Sequence, residues 1–123
     1  MKVLICVLDG KYLDDILKKV EDYVKEGASL VILNIASYDM YYLNKTEEDD
    51  SLGYLYEKAV EHGAMVKVIR TNDIYRSLVN FIENEDVTDI FIEDRREFRP
   101  LHGLDKYVRE SREGKIRCTF LNV

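Results

Sequence analysis

The chain has 123 residues, 46% of them hydrophobic and 34% charged, which is enough for one core and predicts a single globular domain over 1–123. A net charge of −6 excludes nucleic acid or an anionic membrane as the main partner. The longest apolar runs fall far below the roughly 20 residues of a membrane-spanning helix.

Val3 to Leu8 is a continuous apolar run, too short for a helix, and predicts a buried strand. From Tyr12 the spacing becomes helical: Leu13, Ile16, Leu17, Val20, Tyr23 and Val24 share a face, Asp14 and Asp15 occupy the first turn, and Gly27 closes the helix. Ser29 to Ile35 predicts a second strand, followed by a tyrosine-rich connection from Ala36 to Thr46. Leu52, Leu55, Tyr56, Ala59 and Val60 form the apolar face expected of the next helix, which Gly63 ends. Met65 to Ile69 reads as the third strand, and Asn72 or Asp73 can cap a helix carrying Ile74, Leu78, Val79 and Ile82. Asp89 to Ile92 is a fourth strand, Leu104 to Ser111 a fourth helix, and Ile116 to Leu121 a fifth strand.

Short strands alternating with helices predict right-handed crossovers and a mainly parallel sheet covered on both faces, a three-layer α/β/α domain. Its longest irregular stretches, Ala36 to Lys45 and Glu93 to Gly103, both follow strand carboxyl ends. Open α/β sheets bind their ligands there. Met1 to Ile5 leads straight into a strand without a signal-peptide pattern, and Cys6 and Cys118 lie within apolar strands as reduced thiols. A cytoplasmic protein is expected.

The residues exclude several chemistries. The glycines are dispersed: Gly27, Gly63 and Gly114 fall between helices and strands, Gly10 turns the chain out of the first strand, and Gly53 and Gly103 lie near expected helix starts. Neither a Gly-x-Gly-x-x-Gly nor a Gly-Lys-Ser/Thr phosphate loop is present. A receiver domain would need an Asp after the third strand, where Arg70-Thr71-Asn72 stands. His62 precedes a helix-ending glycine, where a cation suits the helix dipole. His102 lies alone in the charged loop, so no metal set forms around it. The run Glu47-Glu48-Asp49-Asp50 is best read as carboxylates at a helix start, and Tyr38, Tyr41 and Tyr42 as cover for a core edge. No catalytic or metal-ligating residue is expected.

In order and pattern the chain resembles the universal stress protein family over nearly its whole length. Lys2-Val-Leu-Ile-Cys-Val-Leu-Asp9-Gly10 is similar to that family's opening strand and Ser29-Leu-Val-Ile-Leu-Asn34-Ile35 to its second. Thr88-Asp-Ile-Phe-Ile-Glu-Asp94 is similar to the fourth, and Ile116-Arg-Cys-Thr-Phe-Leu-Asn-Val123 to the last. The resemblance implies a Rossmann-like, adenine nucleotide alpha hydrolase-like fold. Its parallel sheet would run in the order 3-2-1-4-5, with a switch point between strands one and four. Members that bind ATP carry Gly-x-x-Gly, about nine residues, then Gly-Ser or Gly-Thr after strand four. Here Asp94 and Glu97 stand at the two glycine positions, and Tyr107-Val108 where Gly-Ser is due. Two carboxylates would bring like charge toward a triphosphate.

The expectation is therefore a non-enzymatic regulatory or stress-response domain that does not bind ATP in the usual way. The family's habit of pairing through the last strand implies a homodimer, with Ile116, Cys118, Phe120 and Val123 as an apolar edge. The alternative is a nucleotide or small-anion module, holding ATP or another adenine nucleotide in the crevice. Its expected site residues are Asp9, Gly10 and Ala36 with Asp94, Arg95, Arg96 and Arg99, the arginines replacing the glycines as donors. A nucleotidyl transferase of similar architecture would need a His-x-Gly-His signature where Gly10-Lys11-Tyr12-Leu13 stands, and no enzymatic activity is expected.

Overall fold

A computed structural model describes residues 1–8, 10, 12–24, 27–38, 45–111 and 115–122, with the backbone alone at 45–49, 51 and 111. Five strands and four α-helices alternate along the chain. They are β1 (Lys2–Val7), α1 (Leu13–Glu21), β2 (Ser29–Ser37), α2 (Lys45–Glu61), β3 (Met65–Thr71), α3 (Ile74–Asn84), β4 (Asp89–Glu93), α4 (Leu104–Ser111) and β5 (Arg117–Leu121). A 3₁₀ helix, Arg96–Leu101, sits between β4 and α4, where the sequence predicts irregular loop. The strands form one sheet in the order β3-β2-β1-β4-β5, every pairing parallel, as the resemblance implied.

Alternation along the central strands divides the core in two. Val3, Ile5 and Val7 of β1 pack with Leu13, Ile16, Leu17 and Val20 of α1 and with Leu55 and Ala59 of α2. Leu4, Cys6 and Leu8 pack on the opposite face with Ile74, Leu78 and Ile82 of α3, Phe98 and Leu101 of the 3₁₀ helix, and Leu104 and Val108 of α4. The sheet is thus covered on both faces. Among the described residues no helix is long and apolar enough to cross a membrane.

Local signals explain the element ends. Asp73 caps α3, its carboxylate accepting from the Arg76 amide at 3.0 Å. Gly27 and Gly63 adopt left-handed φ values of 84° and 63°, a conformation that costs other residues strain. Tyr23 and Val24 fall beyond the end of α1, not on it. Gly53 lies inside α2, which begins at Lys45, close to the carboxylate run at 47–50 expected at its start.

The expected apolar face of α2 needs a correction. Leu55 and Ala59 are buried, but Tyr56 is 52% exposed and Val60 81%. The flank of α2 that carries Tyr54 and Lys58 turns toward Asp14 of α1: the Tyr54 hydroxyl donates to Asp14 at 3.0 Å, and the Lys58 ammonium lies 3.1 Å from the same carboxylate. With that flank tied to α1, the helical advance of about 100° per residue turns Tyr56 and Val60 to the other flank, away from α1. That flank lies on the side of β3, the edge strand, and among the described residues no further strand of the sheet lies beyond it.

Candidate functional site

β1 pairs with β2 on one side and β4 on the other, so the crossovers diverge between β1 and β4. The crevice beyond their carboxyl ends is where a doubly wound sheet offers a ligand site. Asp9, expected on its β1 side, lies outside the described residues, as do Val123 of the expected dimer edge and Tyr41 and Tyr42 of the tyrosine-rich connection. Gly10 is buried beneath Tyr54 of α2, and a Cβ there would stand 2.5 Å from the ring carbon Cδ1. Glycine at this position therefore serves the approach of an aromatic ring. Ala36 is fully buried, in the same cluster as Leu8 and Phe98, so its side chain belongs to the core.

The remaining expected residues follow β4. Glu93, its last residue, is 1% exposed, at the sheet's carboxyl edge. Arg95 reaches back so that its Nη1 lies 3.5 Å from Glu93 Oε1, while its Nε lies 3.5 Å from Glu97 Oε2. One guanidinium thus serves two carboxylates. Asp94 and its neighbours do not form an open cradle of amides. The Asp94 N–H donates to Leu121 O at 2.8 Å, the Phe98 N–H to Arg95 O at 3.0 Å and the His102 N–H to Arg99 O at 3.0 Å, while Pro100 has no N–H. The 3₁₀ helix turns Phe98 and Leu101 fully into the core. Arg96 and Arg99 stay exposed, and their spacing of three places them on one side of a 3₁₀ helix.

On the β5 side of this loop an open cleft of about 370 Å³ is lined by Asp94, His102, Asp105, Cys118 and Phe120. His102 Nε2 lies 3.5 Å from Asp94 Oδ1, and its ring stands edge-on to Phe120 at 5.1 Å between centroids. Burial, with Asp105 adding to it, pushes the Cys118 thiol up to about 12, so it is not an activated nucleophile. Burial raises Cys6 as well, with a smaller contribution from Cys118. β4 separates the two cysteine strands, which puts them about 10 Å apart, beyond the roughly 7 Å between Cα atoms that a disulfide spans. Among the described residues no group of three or more His, Cys, Asp or Glu is arranged to hold a metal ion.

One structural group escapes the sequence reading. Asn34, buried near the end of β2, donates from its amide to Leu8 O at 2.7 Å and Val7 O at 3.3 Å. Its Oδ1 accepts from Arg70 Nη2 at 2.8 Å, and Arg70 Nη1 also donates to the Asn34 carbonyl at 3.2 Å. This bridge fixes where the chain leaves β1. The signal was an asparagine inside an apolar strand, a residue type that needs partners when buried.

Comparison with known proteins yields no matching family model and no matching curated relative.

Proposed function

We propose that this chain is a non-enzymatic regulatory domain of universal stress protein type, in which the loop after β4 has been rebuilt as a structural closure and does not hold a triphosphate. The observation that carries this reading is the pair Phe98 and Leu101, both fully buried from the position where a phosphate loop would lie. Phosphate loops work by presenting unengaged backbone N–H groups. Here the amides of Asp94, Phe98 and His102 donate to carbonyls of the chain itself. Arg95, the arginine nearest the strand end, is held between Glu93 and Glu97.

The test is a thermal melt with millimolar ATP, with and without magnesium. A ligand at a hundredfold excess over Kd stabilises by about 2.7 kcal/mol, equivalent to a Tm rise on the order of 10 °C for a domain of this size. The expected rise is nil. A rise of several degrees that Arg95→Ala abolishes would overturn the proposal.

A second reading is favoured by Arg96 and Arg99, two exposed guanidiniums on one side of the 3₁₀ helix. They suit a monophosphate or similar small anion bound through side chains. A melt with AMP or inorganic phosphate discriminates: stabilisation that Arg96→Ala and Arg99→Ala remove selects this reading.

A further inference from the structure

From the apolar surface that α2 and β3 leave open, we infer that this edge of the sheet docks a second copy of the chain, β3 against β3, around a two-fold axis. This goes beyond the regulatory reading and does not depend on any ligand. Tyr56 and Val60 on α2 are 52% and 81% exposed, and Met65 and Val68 on β3 are 58% and 39% exposed. β3 is also an edge strand, so one side of its backbone has no partner within the sheet.

The arrangement points to a particular kind of partner. The strand register aligns Val68 with Asn34, and alternation places it on the same sheet face as Val66, whose core cluster includes Leu55 and Ala59 of α2. Tyr56 and Val60 lie one layer above, on the flank of α2 turned away from α1. A single extended peptide, about 4.8 Å wide, would pair with the β3 backbone but leave the helix flank bare. Only a partner with both a strand and a helix layer covers both. A second copy supplies that pair by symmetry, because antiparallel pairing at a sheet edge sets the two α2 helices on the same face.

Area and charge agree with this. Tyr56, Val60 and Val68 leave on the order of 300 Å² open on the α2 face, within the roughly 300–600 Å² of the largest patches on monomers, which are often functional. Met65, whose register with Val31 sets it on the opposite face of β3, adds on the order of 100 Å² at the seam. Doubled, and with strand backbone and the Lys67 stem added, the contact clears the roughly 1,000 Å² that a biological interface needs. β3 has no carboxylate, and its Arg70 is folded onto Asn34. A register with Val68 on the axis sets Lys67 beside Ile69 of the partner subunit, so the two lysines do not face each other.

Light scattering at high micromolar concentration tests the inference. The expected mass is twice 14.5 kDa. Val68→Lys sets two charges against each other on the axis and should weaken the dimer at least tenfold. Val60→Lys, at a position too exposed to threaten folding, should weaken it as well. Thr119→Lys on β5 should leave it unchanged. A wild-type mass of one chain at that concentration overturns the inference, as does a dimer that Thr119→Lys dissociates while both α2–β3 variants leave it intact.

Discussion

The two edges of this sheet end in opposite ways. On β5, the described residues that suggest an apolar edge are turned toward the core: Ile116 is 8% exposed, and Cys118 and Phe120 are half-buried against its α3–α4 side. His102 covers the Phe120 ring, and Arg117 faces solvent while ion-paired with Asp89 at 2.8 Å. On β3, Met65 and Val68 are open on opposite faces, and α2 adds Tyr56 and Val60 on the Val68 face. The reason lies in what covers each side. The 3₁₀ helix and α4 follow β4 directly and pack down beside β5, whereas α2, held toward α1 by Asp14, covers Val66 of β3 and leaves Val68 open. An edge rich in apolar residues is thus not the same as an exposed apolar edge.

Truncations on the two sides should separate them most strongly. Phe98→Ala removes the side chain that closes the β4 loop and should cost about 3–5 kcal/mol in urea unfolding, with Leu121→Ala on β5 next at about 2–5 kcal/mol. Met65→Ala on β3 should change monomer stability by less than about 0.5 kcal/mol. A Met65 effect as large as that of Leu121 would erase the distinction.

A smaller effect sharpens the account of why α2 leaves Val68 open. Hydrogen bonds from Lys58, and then from Tyr54, hold the Asp14 carboxyl below its ordinary range, and the same contact with Asp14, followed by Glu61, raises Lys58. A depressed acid contributes stability above its unfolded pKa and loses it as pH falls through the folded value. A raised lysine contributes below its unfolded pKa and loses it as pH rises through the folded value. The clasp should therefore persist through neutral pH and loosen at both extremes. In melts against pH, Asp14→Asn should lower Tm at pH 7, with the difference from wild type fading below about pH 4. A difference that is constant across that range would remove the clasp from the explanation.

Much of the fold is legible in the sequence because it rests on short-range pattern. Buried parallel strands are continuous apolar runs, as in β1, and the shorter or interrupted runs of the other strands also lie within two residues of the observed bounds. The orientation of α2 was not, because Leu52, Leu55, Tyr56, Ala59 and Val60 make a stripe wide enough to face the sheet in more than one rotation. The choice is made by Tyr54 over Gly10 and by Asp14 with Lys58, contacts some 40 residues apart in sequence. In sequence the loop after β4 is charged and predicts irregular structure. Its charges are real, but Phe98, Pro100 and Leu101 among them signal a turn that enters the core. Of the expected crevice residues, Ala36 serves the core, Gly10 lies under Tyr54, Arg95 bridges two acids, and Arg96 and Arg99 remain open.

Amide hydrogen exchange at low and high micromolar concentration, each with and without millimolar magnesium–ATP, tests both halves of the contrast at once. Raising the concentration should slow exchange across β3, Met65–Thr71, and leave β5, Arg117–Leu121, unchanged, while ATP should leave residues 94–103 as they were. Protection of residues 94–103 by ATP, or of β5 and not β3 by concentration, would contradict the account.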